Sequence, residues 1–120
     1  MWTLTIDGVL PMSMNERERV SHWTRRRELQ DFTRTIAALA QNAGVPQAKG
    51  KRRVTLTIVK GKRSRRRDDP ANRDSRAKSV LDALVANGLL RDDSDEWLDW
   101  PGVVETKADV KQTIITLEDK

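Results

Sequence analysis

The tract from Lys60 to Arg67 sets the first limit on what this chain can become. It holds six cations in eight residues (Lys60, Lys62, Arg63, Arg65, Arg66 and Arg67) and no apolar side chain. Such a segment has nothing to bury, so it predicts a mobile surface loop that orders when an anion meets it. The core must be assembled from what lies on either side. The tract runs into Asp68 and Asp69. A helix-like segment follows, with Asp74, Lys78 and Asp82 at intervals of four, and a second carboxylate pair, Asp92 and Asp93, closes it. Cations suited to a polyanion thus stand beside acids suited to a divalent metal, a combination that points to phosphodiester chemistry on a nucleic acid.

The 120 residues make one domain by length, large enough for one modest core. The net charge of +5 matters because it is concentrated, and a local basic cluster favours nucleic acid over an anionic membrane surface. No apolar run approaches the roughly 18 residues of a membrane span. No charged-then-apolar leader opens the chain. The expectation is a soluble, cytoplasmic protein with no membrane partner and no small-molecule cofactor. The absence of cysteine excludes disulfides and zinc–thiolate sites. With His22 the only histidine, a metal site must be built mainly from oxygen, which suits Mg²⁺ or Mn²⁺.

Periodicity outlines the fold. Trp2 to Ile6 alternates as a half-buried strand does, Asp7-Gly8 signals a turn, and residues 11–21 read as an irregular loop. From about Trp23 to Asn42, Leu29, Phe32, Ile36, Leu39 and Ala43 form one helical stripe. Ser21 or Thr24 suits its start, and Gly44 with Pro46 its end. Arg25, Arg26 and Arg27 crowd the helix start, where the helix dipole disfavours cations; they read equally as a solvated face or as phosphate ligands. Lys49 to Arg53 is a basic lead-in to a strand over Val54–Val59, with Val54, Leu56 and Ile58 inward. A second helix is predicted over Ser75–Ala86, burying Ala77, Val80, Leu81, Leu84 and Val85 and stopped by Asn87-Gly88. Strands near Val103–Thr106 and Thr113–Leu117 complete a β-α-β-α-β-β order, an α+β domain with a small mixed sheet on two helices.

The chemistry-bearing residues each have a plainer reading. Paired aspartates in a basic chain commonly serve as surface salt-bridge partners, and Lys78 four residues before Asp82 matches an exposed helix pair worth about 0.3–0.5 kcal/mol. His22 suits a helix start, and Trp97 and Trp100 suit core packing or a subunit interface better than base stacking. The basic tract is more specific. Six phosphate contacts at about −0.9 each give a log–log salt slope of about −5. No helix-turn-helix, zinc-finger or RNP signature is present, so backbone and shape recognition is expected.

The run RRRDDPAN (65–72), with Lys78, Asp82-Ala83-Leu84, Asn87-Gly88 and Asp92-Asp93, resembles the RusA-type Holliday junction resolvases of bacteria and phages. The opening strand, then Pro11, Ser13, Asn15 and a helix carrying Trp23, fits the same pattern, so the similarity covers most of the chain. The resemblance implies an α/β homodimer that binds four-way DNA and nicks two opposed strands with Mg²⁺, or Mn²⁺ in its place. It implies metal ligation by Asp69 and Asp93 with Asp82 or Asp92 in support, and assistance from Lys78. Asp69, Lys78, Asp82 and Asp93 are then the expected catalytic set. The family's D-x-D-N falls on Asp69-Pro70-Ala71-Asn72, with Ala71 in place of the second acid; Asp74 is the carboxylate nearest to replace it. Read back from Lys78 instead, the two leading acids fall on Asn72 and Asp74. The expected DNA ligands are Arg25, Arg26, Arg27 and the six cations of the tract. The rival expectations are a branched or single-stranded DNA binder without catalysis, and a basic RNA-associated protein.

Overall fold

Alternating side chains put the apolar residues of three strands on one side of a sheet, and two helices cover that side. The structure, a computed structural model, describes residues 1–61 and 69–120. The elements are β1 (Trp2–Asp7), α1 (Met14–Glu18), α2 (His22–Ala43), β2 (Arg52–Gly61), α3 (Pro70–Ser75), α4 (Ala77–Ala86), β3 (Leu98–Asp99), β4 (Val103–Ala108) and β5 (Gln112–Asp119). They form a single α+β domain. Strand β5 lies between β1 and β2 and is antiparallel to both. The far edge of β2 pairs in parallel with β3 at its start and with β4 along its second half.

The register puts Leu4, Ile115, Leu56 and Val103 side by side across four strands, all buried. A slip of one residue would turn such a row to solvent, so the pairing is strongly specified. Phe32, Ile36 and Ala40 of α2, with Ala77, Val80, Ala83 and Leu84 of α4, close over this face. Each large side chain buried there contributes roughly 1.5–3 kcal/mol. Thr113, inside the same layer, keeps its hydroxyl satisfied by donating to the Val9 carbonyl at 2.7 Å. Helix α2 starts at Ser21, whose side chain accepts the Thr24 N–H, and ends at Gly44, where φ is +70°. There the N–H groups of Gly44 and Val45 return to the carbonyls of Gln41 and Ala40, a closure that favours glycine.

Three features depart from the sequence expectations. Residues 14–18 are helical rather than irregular: Ser13 and Glu16 form a reciprocal capping box around α1. The single helix expected over Ser75–Ala86 is two. At the junction the Arg76 N–H bonds back to the Arg73 carbonyl three residues earlier, and the chain turns from α3 into α4. Strand β2 extends from Arg52 to Gly61, so the supposed basic lead-in and the supposed loop both surrender residues to the sheet. Lys60 is among them. Its ammonium lies 2.9 Å from Glu105 of β4 and is buried, which removes it from any exposed phosphate grip. The remaining cations of the tract, Lys62, Arg63, Arg65, Arg66 and Arg67, lie outside the described residues.

Arg52 and Arg53 show how alternation splits neighbours. Arg52 points into the covered side and is 1% exposed. Its Nε donates to Asp119 at 2.7 Å, its Nη1 to the Leu89 carbonyl at 3.0 Å, and its guanidinium stacks on Trp2. It ties the last strand, the first strand and the turn after α4 together. Arg53 faces the other way, 42% exposed, paired with Asp99. Arg52→Ala is expected to cost about 2–4 kcal/mol, from the lost packing and the unpaired Leu89 carbonyl. Arg53→Ala is expected to cost under about 1 kcal/mol. Urea unfolding of the two variants checks the contrast, and equal losses would contradict this account of β2.

Candidate nucleic-acid interface

A concave site lies where the start of α2 faces α4. It encloses about 540 Å³ and is lined by Arg17, His22, Arg25, Arg26, Leu29, Lys78, Ser79 and Asp82. The α2 contribution follows helical geometry: residues 22, 25, 26 and 29 stand at i, i+3, i+4 and i+7 and share one face. Helix α4 presents Lys78 and Asp82 one turn apart, 3.7 Å between ammonium and carboxylate, both well exposed at 70% and 42%. A pair so wet contributes little to stability. Four cations therefore line the cleft against a single carboxylate, an electrostatic surface suited to phosphate.

Helical geometry also divides the three arginines of α2. Arg25 and Arg26 enter the cleft, whereas Arg27 lines a separate groove with Val9, Met12 and Phe32. Because α2 begins at His22, these arginines fall in its second turn, where the dipole effect has faded. The expected penalty at the helix start is correspondingly smaller. His22 is a helix-start residue, edge-on to the exposed Trp23.

The cleft rests on a partly buried carboxylate. Glu28 accepts the Met12 N–H at 2.6 Å through Oε2 and the Ser79 hydroxyl through Oε1. Ser79 in turn accepts a hydrogen bond from Nη2 of Arg17, and that nitrogen lies 3.6 Å from Glu28. The segment before α1, helix α2 and helix α4 are thus joined through one side chain. Helix α1 is fastened from its other side by α3: the Ser75 hydroxyl accepts the Met14 N–H at 2.8 Å, and Asn72 Oδ1 accepts the Asn15 N–H at 3.3 Å. Arg76 adds a bond to the Pro11 carbonyl and an ion pair with Glu16, each at 2.7 Å. Neither Glu28 nor Arg17 was singled out by spacing. The only sequence signal near them is the Ser13-x-x-Glu16 box, which announces a helix but not what it carries.

The acids expected to hold a metal are distributed as follows. Asp69 caps α3, its carboxylate accepting the Asn72 N–H at 2.8 Å. Asp74 sits in α3 beside Arg73, 3.8 Å away, and the break at Arg76 takes it off the helix that carries Lys78. Asp82 faces Lys78 in the cleft. Asp92 and Asp93 are exposed in the turn between buried Leu90 and Trp97, where Arg91 stacks on the Trp97 ring at 4.7 Å. Trp100 packs on the core edge. Among the described residues, no three His, Asp or Glu side chains form a group that could hold a metal ion. No described helix is long and apolar enough to cross a membrane.

No family model matches the chain, and no curated protein does.

Helix α1 carries a pH dependence. Burial alone pushes the Glu16 carboxyl up, but the Ser13 N–H, the Arg76 charge and side-chain bonds to Ser13 and Arg76 outweigh it. The carboxyl is held below the ordinary glutamate range. A lowered folded-state value gives stability that is present above the ordinary value, about 4.3, and lost as pH falls through the lowered one. Glu16 is half exposed, so the contribution is expected to stay under about 1 kcal/mol. Wild type should exceed Glu16→Gln in stability at neutral pH, and the difference should vanish in acid. A difference independent of pH, measured by denaturation at several pH values, would contradict the Glu16–Arg76 assignment.

Proposed function

We propose that the protein is a RusA-type Holliday junction resolvase, a homodimeric endonuclease that binds four-way DNA and cuts two opposed strands. The observation that carries the reading is the cleft: Lys78 and Asp82, two positions of the family pattern, share it with Arg25 and Arg26. The arginines hold strand phosphates. The Lys78 ammonium stands where negative charge grows as a phosphodiester is attacked, and Asp82 keeps it aimed. Mg²⁺, or Mn²⁺ in its place, is the cofactor this reading calls for, with Asp69, Asp82 and Asp93 among the residues on which activity depends. A twofold dimer matches the symmetry of a four-way junction. Action on DNA gives the protein a cytoplasmic place, in a bacterium or in a cell infected by a phage.

A second reading has its own observation. Ala71 stands where the family pattern has an acid, which favours a protein that binds branched DNA without cutting it. The two part in one assay. A synthetic four-way junction incubated with the protein and Mg²⁺ is expected to give paired, opposed nicks, abolished by EDTA. Lys78→Ala is expected to slow cutting by roughly 10²-fold while junction binding weakens less than tenfold. Binding without cutting in both Mg²⁺ and Mn²⁺ would leave the second reading standing. Displacement of the junction by structured RNA at equal concentration would remove both and leave an RNA-associated protein.

A further inference from the structure

The cleft contains one cation whose position is fixed by the protein rather than by solvent. Arg17 projects from α1 and lines the cavity. Its contacts among the described residues, to the Ser79 hydroxyl and to Glu28, both run through Nη2. Ser79 is buried, and its hydroxyl is spoken for twice: it donates to Glu28 and accepts from Arg17. The hydroxyl is thereby held in one rotamer, and Nη2 of Arg17 is anchored with it. Glu28 is itself fixed by the Met12 N–H. One end of the guanidinium is anchored, and among the described residues Nε and Nη1 have no partner. Arg25, Arg26 and Lys78 line the same cavity, and among the described residues none of these three has its charge clamped from beneath.

A guanidinium offers paired donors in a fixed plane, the geometry that matches two oxygens of one phosphate. When the side chain is already ordered, binding does not have to freeze its rotamers, which otherwise costs affinity. From this we infer that Arg17, oriented by Ser79 and Glu28, is the seat of one backbone phosphate of the bound nucleic acid. Ser79 is a positioning residue that touches no ligand. The inference rests on the nucleic-acid-binding reading above and names a phosphate ligand that neither sequence spacing nor the resemblance assigned.

Salt dependence separates a phosphate contact from a structural prop, because each neutralised phosphate contributes about −0.9 to the log–log slope. Binding of a four-way DNA junction in EDTA, over a range of KCl, is measured for wild type, Arg17→Gln, Ser79→Ala and Arg17→Lys. Arg17→Gln is expected to bind about ten- to a hundredfold more weakly at low salt, with a slope shallower by about 0.9. Ser79→Ala is expected to bind roughly threefold to tenfold more weakly with the slope unchanged, since the charge remains but its orientation is lost. An unchanged slope in Arg17→Gln, or wild-type affinity in Ser79→Ala, overturns the inference. Should Arg17→Gln fail to fold, Arg17→Lys carries the test: wild-type slope with weakened affinity supports the seat, and wild-type affinity overturns it. Failure of wild type to bind the junction at all refutes the underlying function instead, so the two failures are told apart.

Discussion

The parallel pairing of β2 with β4 is the constraint from which the cleft follows. Parallel neighbours cannot be joined by a tight turn; the chain must cross over one face of the sheet to begin the second strand at the same end as the first. Here the crossover is α3 and α4. Helix α4 lies against the side of the sheet where Leu56, Ile58, Ile115 and Leu117 point. That side already carries α2, so α4 must pack beside it, through Val80, Ala83 and Leu84 against Phe32, Ile36 and Ala40. Two helices side by side on a sheet leave a furrow wherever their facing residues are polar or long. At the start of α2 they are both, and the furrow is the cationic cleft.

A furrow lined by four cations is a strained arrangement without an anion, and the fold answers it from below. The Glu28 carboxylate stands under the cleft floor, bonded to Ser79 and Met12 and close to Arg17. One such group offsets part of the repulsion and leaves the outward positive potential in place. Surplus positive potential of this kind lowers stability in the free protein and is relieved by a bound polyanion.

The sheet and the long helix were legible because their signals are periodic and repeated. Val54, Leu56 and Ile58 alternate, and the stripe from Leu29 to Leu39 repeats every three or four residues. What escaped was short or relational. Helix α1 has five residues, too few for a stripe to emerge, and its only announcement was the box from Ser13 to Glu16. The break at Arg76 has no proline or glycine to mark it. It arises because Arg76 is drawn to Pro11 and Glu16, partners about sixty residues away in sequence. The Lys78–Asp82 pair was legible from its spacing alone. Glu28, directly after the arginine run and directly before the first residue of the apolar stripe, looked like any surface acid.

Composition also hides how the cations divide. Arg52, Lys60 and Arg76 are buried and engaged with Asp119, Glu105 and Glu16. Their charges hold strands and helix ends together and are unavailable to a ligand. Arg17, Arg25, Arg26 and Lys78 face the cleft. Both groups look alike in the sequence, and Lys60 stands at the head of the most conspicuous basic tract of all. What distinguishes them is strand parity and helix face. An even position in β2 faces the covered layer, and a residue at the helical interval from His22 faces the furrow. The charge that matters for a polyanion is therefore set less by the net value of +5 than by which cations the backbone turns outward on the same side.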